Sequence, residues 1–182
     1  SNHSMAGAFD SVLNVNLNEN DLMVSIEKVT NSFDGNLKNQ VLVQAMVQNV
    51  IMSGVVMTKV LDDGSPYYVI NYDDTTGRTD SITSGNSINK TVYLYNGVRD
   101  NSFDSKLLLS VLKLIRKLEK TFNNIPIDIE FAINGNQIIQ LLQVRKITTV
   151  SKWDSEIQNK ISDRINHLKS FLKILFSKRN DI

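Results

Sequence analysis

Apolar residues recur along this chain with two different periods, and the switches between them divide it into elements. Val12, Leu13, Val15 and Leu17 partly alternate with Asn14 and Asn16, which predicts a short strand. Leu22, Ile26, Val29 and Phe33 then recur at spacings of four, three and four, the period of a helix, with Asn20 as its expected N-cap. Asp34-Gly35-Asn36 supplies turn chemistry after it. Residues 40–60 are richer in β-branched side chains: VLVQAMV and SGVVMTKV read as strands, and PYYVINY follows the turn Asp62-Asp63-Gly64-Ser65-Pro66. The polar stretch 73–90 reads as a loop, and TVYLYN over 91–96 as another strand.

The second half repeats this logic with stronger signals. Leu107, Leu108, Val111, Leu112, Ile115, Leu118 and Phe122 mark one face of a helix over 105–122, stopped by Asn123-Asn124-Ile125-Pro126. IDIEFAI and QIIQLLQVRKI flank Asn134-Gly135-Asn136, a strong hairpin signal. Trp153, Ile157, Ile161, Ile165, Leu168, Leu172 and Leu175 form one stripe of a long C-terminal helix, with Ser151 and Asp154 as a capping-box-like start. The expected fold class is α+β: a mostly antiparallel sheet with packed helices, followed by the long C-terminal helix. The expected division is a domain over 1–148 and the amphipathic helix over 149–182. Core packing is the plainest role for the apolar stripe of that helix; a homodimer contact or docking on a downstream domain is the alternative.

Composition narrows the chemistry. The chain has 182 residues, 41% hydrophobic and 21% charged, which fits a globular domain with its own core. With no cysteine there is no disulfide, thiolate metal site or cysteine nucleophile, and with two histidines a three-histidine metal site is excluded. A cytoplasmic setting is expected. The net charge of +1 hides an asymmetry: residues 1–100 carry 6 basic and 11 acidic side chains, residues 101–182 carry 14 and 8. That excess lies mainly along the two predicted helices as solvated faces, without the basic and aromatic patch of a nucleic-acid binder. No apolar run approaches the ~18 residues of a membrane span, and the N-terminus has no signal-peptide pattern. The start without Met suggests an excised piece of a longer protein.

The second predicted hairpin carries the most suggestive chemistry. Asp128 and Glu130 are two apart and share a strand face, as do Gln143 and Arg145 on the partner strand. Antiparallel pairing brings Glu130 near Gln143. A carboxylate and an amide oxygen suit a hard cation such as Mg²⁺, and a neighbouring guanidinium suits phosphate. A cross-strand Glu–Arg ion pair on a solvated face is the plain alternative. Gln44 inside VLVQAMV leaves backbone amide and carbonyl groups that could present themselves to a planar base, although a plain buried strand explains those residues equally well. The loop holding Gly77, Asp80, Ser81, Thr83, Ser84 and Gly85 lacks the lysine of a P-loop and reads as surface.

S-x-A-G-x-F-x-S-V-L-N-V, V-L-V-Q-x-M-V, S-G-V-V-x-T, a stretch ending T-S-G, D-I-E-F and L-Q-V-R occur in that order. This series resembles the nucleotide-binding domain of the phosphoenolpyruvate synthase and pyruvate phosphate dikinase family, over about residues 1–148. The resemblance implies the second half of an ATP-grasp fold, with ATP and Mg²⁺ as cofactors. It implies Glu130 and Gln143 as metal ligands and Arg145 as the catalytic residue near the phosphates. Gln44, Ala45, Met46 and Val47 would edge the adenine pocket. The parent would carry a first ATP-grasp subdomain, a phosphohistidine domain and an acceptor-binding domain, and would convert ATP, pyruvate and water to phosphoenolpyruvate, AMP and phosphate. Arg78 and Thr79 stand where the family has acids, and Lys146 where it often has proline. Those departures keep in view a non-catalytic nucleotide-sensing or assembly module, or a relative with a different acceptor.

Overall fold

A computed structural model describes residues 9–33, 35, 38–77, 90–98, 105–148 and 151–177. Its elements in chain order are α1 (Glu19–Asn31), β1 (Val50–Met57), β2 (Tyr67–Asp73), β3 (Lys90–Tyr95), α2 (Lys106–Thr121), β4 (Ile127–Asn134), β5 (Ile139–Lys146) and α3 (Ser155–Ser177). The five strands form one open sheet in the order β3-β2-β1-β4-β5, with every neighbouring pair antiparallel. The class is α+β.

The strand periodicity sorts side chains onto two faces. Met52 and Val56 of β1, Tyr68, Ile70 and Tyr72 of β2, and Ile127, Ile129, Phe131 and Ile133 of β4 point one way and are buried. Onto that face α2 lays Val111, Leu112 and Ile115, all fully buried, with Leu107, Leu108, Leu114 and Leu118 along the edge of the contact. Ser105 caps α2: its Oγ accepts from the Leu108 N–H at 3.3 Å. Asn123 and Asn124, both at positive φ, then turn the chain into Pro126 and β4. Full burial of an aliphatic side chain contributes about 1.5–3 kcal/mol, so this single helix-on-sheet layer supplies most of the hydrophobic stabilisation.

Gly54 lies at the centre of this layer. A Cβ there would meet the Asn71 carbonyl oxygen and the Phe131 ring, each at 2.7 Å. The Phe131 ring therefore fills the space that a side chain at 54 would occupy, opposite its own strand partner.

Several expectations need correction. VLVQAMV is not a strand: residues 41–47 are irregular, and β1 begins only at Val50, after Asn49 takes a φ of 52°. β1 already has β2 on one side and β4 on the other, so a preceding strand has no free edge of β1 to join. Residues 9–17 form no strand either; Leu17 is fully exposed, and Asn14 sits at positive φ. The cap of α1 is Asn18, not Asn20, with Asn18 Oδ1 accepting from the Asp21 N–H at 2.9 Å. The connection between β4 and β5 is longer than an Asn-Gly turn. It runs through Gln137 at positive φ, and Asn134 Oδ1 accepts from the N–H groups of Asn136 and Ile138. Residues 1–8, Asp34, Asn36 and most of the polar loop, 78–89, lie outside the described residues.

The C-terminal helix departs furthest from expectation. Its cap is Asp154, whose Oδ1 accepts from the Glu156 N–H at 2.8 Å, rather than Ser151. Its stripe does not enter the core: Ile157, Ile165, Leu168, Leu172 and Leu175 are all exposed. The reason lies in the sheet. One face is already covered by α2, and the other carries polar and charged side chains that an apolar helix would have to desolvate. The helix is instead tied at its start, where Gln158 Nε2 donates to the Tyr95 hydroxyl at 2.8 Å. Just before it, the backbone of Ser151–Trp153 lies against Gly64, where any Cβ would collide with the Ser151 carbonyl.

Candidate functional site

The sheet face away from α2 is where the chemistry collects. Register sets Glu130 opposite Gln143 and Asp128 opposite Arg145 across β4 and β5. It continues through Val55, opposite Glu130, to Asn71 on β2. One row on this face therefore reads Asn71, Val55, Glu130, Gln143. The next holds Met57, Asp128 and Arg145, and the row on the other side holds Asp73, Ser53, Ala132 and Gln140. This is the opposite of a plain amphipathic sheet, whose second face is simply solvated. Ser53 and Asp73 are buried, and Asn71, Asp128, Glu130 and Arg145 are half-buried.

A β-bulge refines this placement. Glu130 pairs with Gln143, but Phe131 pairs with Leu141, so Leu142 is the extra residue. Bulges re-aim side chains and bend the strand that carries them. Here the register on the Arg145 side of the bulge puts Gln143 and Arg145 on the polar face, while Val144 packs toward the core.

The charges of the cluster are unequal. Arg145 Nη2 donates to Asp128 Oδ2 at 2.6 Å and lies 3.4 Å from Glu130 Oε1. Two carboxylates thus share one guanidinium, and the shorter contact goes to Asp128. Burial pushes the Glu130 carboxyl above the ordinary carboxylate range; Arg145 opposes this and the Asp128 charge adds to it. The second oxygen of Asp128, Oδ1, is buried without a hydrogen-bond partner, and so is Asn71 Oδ1. Buried acceptors without donors are uncommon and call for a cation, a water or a donor-bearing ligand.

These features fit a hard cation. Glu130 and the Gln143 amide are oxygen donors facing one another on one face, next to an unfilled carboxylate oxygen and an excess of one negative charge. They do not make a closed protein cage: no group of three or more His, Cys, Asp or Glu side chains disposed for a metal ion occurs among the described residues. A magnesium ion bound through few protein oxygens, keeping waters and contacts to a phosphate ligand, requires no such cage.

Asp73 belongs to the same face but has a different job. Its Oδ1 accepts from the N–H groups of Thr75 and Thr76 and from the Thr75 hydroxyl, and its Oδ2 accepts from the Thr76 hydroxyl. It closes the turn leaving β2. Lys90, at the start of β3, pairs with Asp74 at 2.7 Å, which raises the Lys90 pKa.

Four of the sequence-derived positions gather here: Asp128, Glu130, Gln143 and Arg145. Gln44, Ala45, Met46 and Val47 lie in the irregular segment that leads into β1, which begins at the end of the sheet where Val50 opposes Asn134. Gln44 and Ala45 are exposed, and Val47 is buried. Sequence reading assigned no role to Asn71, although a lone amide inside the run YYVINY was the available signal, and it noted Asp128 only as a face-sharing neighbour. Arg78, Thr79 and Asp80 lie outside the described residues. No helix among the described residues is long and apolar enough to cross a membrane. Comparison with protein-family models gives no match, and no curated protein matches the chain.

Proposed function

We propose that this chain supplies one wall of a Mg-ATP site in an ATP-dependent phosphotransferase of the phosphoenolpyruvate synthase type. The observation that carries the reading is the register of β4 and β5. It sets the Glu130 carboxylate opposite the Gln143 amide, with the Arg145 guanidinium one row away, on the sheet face away from α2. On this reading Glu130 and Gln143 hold the cation, and Asn71 and Asp128 offer unfilled acceptors beside it. A bound magnesium ion would neutralise phosphate charge. Arg145 presents its planar fork to phosphate oxygens, and positioning with charge compensation is most of what phosphoryl transfer asks of a protein. The Gln44–Val47 segment would meet the base, and a preceding subdomain would form the opposite wall. The motif series D-I-E-F and L-Q-V-R supports this assignment.

A second reading has its own observation. Arg145 is already engaged by two carboxylates, which suits a structural ion-pair cluster in a module that keeps the fold without transferring phosphate. Titration of the chain with Mg-ATP, followed by amide NMR, decides between them. Saturable shifts at Glu130, Gln143 and Arg145, weakened about tenfold or more in Glu130→Ala, are expected from loss of a charged ligand. No saturable shift from the wild-type chain, and none again when the preceding subdomain is joined to it, overturns the nucleotide reading and leaves the structural one.

A further inference from the structure

Resting on that reading, we infer that Asp128 is a positioning residue: it anchors the Arg145 guanidinium and so keeps Glu130 available to a cation. The geometry is asymmetric in the required sense. Arg145 and Asp128 are direct cross-strand partners, and their contact is 2.6 Å. Glu130 lies one row along and 3.4 Å from the same nitrogen, at the outer limit of a hydrogen bond. Asp128 is also the less exposed of the two, with 17% of its side chain accessible against 25% for Glu130. The less exposed carboxylate opposite an arginine is the stronger anchor, because less water competes for either charge.

The consequence is a division of labour between two acids of the same strand. Without Asp128, Glu130 is the one ion-pair partner left to Arg145 among the described residues. The guanidinium would close onto it, occupy its oxygens and cancel the negative charge that a divalent cation needs. With Asp128 in place, the three side chains keep a net charge of minus one, and that charge is concentrated at Glu130. The same anchoring fixes the direction of the Arg145 fork, which matters for a planar bidentate donor more than for a point charge. Asp128 thus acts through Arg145, without itself touching the phosphate.

Two measurements on the chain test this, with Mn²⁺ as the probe ion. The first follows the Arg145 guanidinium by ¹⁵N–¹H NMR. Hindered, resolved Nη signals should persist in Glu130→Gln and collapse or shift in Asp128→Asn. The second measures Mn²⁺ affinity by water-proton relaxation. Asp128→Asn should weaken it about tenfold, the scale of one charge-assisted hydrogen bond redirected onto Glu130, and adding Arg145→Gln to that variant should restore it. Arg145 signals lost in Glu130→Gln but kept in Asp128→Asn would overturn the inference. So would Asp128→Asn affinity that stays at the wild-type value, or that stays low in the double variant, since the last result makes Asp128 a direct ligand. Absence of Mn²⁺ binding by the wild type would overturn the cation reading itself, a distinct failure visible before any variant is made.

Discussion

Arg145→Met offers the sharpest test of whether the face away from α2 holds a partly buried charge cluster or solvated surface contacts. The substitution keeps an unbranched apolar stem and removes the guanidinium, leaving Asp128 and Glu130 side by side on β4 without a counter-charge. At an effective dielectric of 20, the 2.6 Å and 3.4 Å contacts correspond to gross attractions of about 6 and about 5 kcal/mol. Most of that is offset by the cost of removing Arg145 from water, and Arg145 is still 34% exposed. Exposed pairs measure about 0–1 kcal/mol, and breaking fully buried ones costs about 3–5 kcal/mol. A cluster with one arginine and two half-buried acids falls between, at about 2 kcal/mol. For a chain of this size that lowers Tm by about 4–8 °C. Urea denaturation at pH 7 measures the loss directly, and repeating it at pH 3, where Glu130, whose carboxyl burial pushes above the ordinary range, is protonated and no longer repels Asp128, should shrink it. Arg145→Lys should recover part of the stability, since a lysine keeps the charge but not the fork. A destabilisation below about 0.5 kcal/mol at pH 7 would place the pair among solvated surface contacts and refute the reasoning.

Three further outcomes follow from single contacts. Glu130→Gln should be more stable than wild type at neutral pH. Burial raises the folded-state pKa above its ordinary 4.5, so the folded chain holds the proton more tightly, and ionisation costs stability as pH rises past that range. The gain should vanish as pH falls below about 4.5, and a pH-independent difference in urea midpoint would rule this out. Gly54→Ala should cost about 1–3 kcal/mol, because its Cβ meets the Asn71 carbonyl and the Phe131 ring at 2.7 Å; an unchanged melting temperature would show that the strands part at no cost. Thr58→Val should cost about 1–3 kcal/mol by stranding the buried Ile127 N–H, which now donates to Thr58 Oγ1 at 2.9 Å. Thr58→Ser, which keeps the hydroxyl, should recover most of it in the same denaturation assay.

How much of this was legible in sequence depended on whether the signal was local. α2, β2, β3, β4 and β5 were readable because period, cap and turn residues agreed within each segment. The shared face of Glu130 and Gln143 followed from the two-residue period and a hairpin. The bulge at Leu142 left no distinctive mark in QLLQV, and it took the backbone to reveal it. VLVQAMV had the composition of a strand, but composition does not say whether a sheet edge is free to receive it. The stripe of α3 had the spacing of a core helix, but only the second face of the sheet, occupied by Asn71, Asp128 and Glu130, decides that there is no core for it to enter. Cap positions moved by two and three residues, because Asn18 competed with Asn20, and Asp154 with Ser151, on equal chemical terms.

The strand order also has a kinetic meaning. β4 and β5 are sequence neighbours, and Glu130 meets Gln143 across only 13 residues of chain. The seam between β1 and β4 joins Val55 to Glu130 across 75 residues. Closing the longer span costs about 1.5 kcal/mol more in chain entropy, so the seam is expected to close after the hairpin. Asn71 lies on the far side of it, and Asp128, Glu130, Gln143 and Arg145 all lie on the quickly closing side. Their mutual geometry is a property of one hairpin, set before the halves of the sheet meet. Substitutions along the seam should therefore alter folding rate and total stability while leaving the spacing of Asp128, Glu130, Gln143 and Arg145 unchanged.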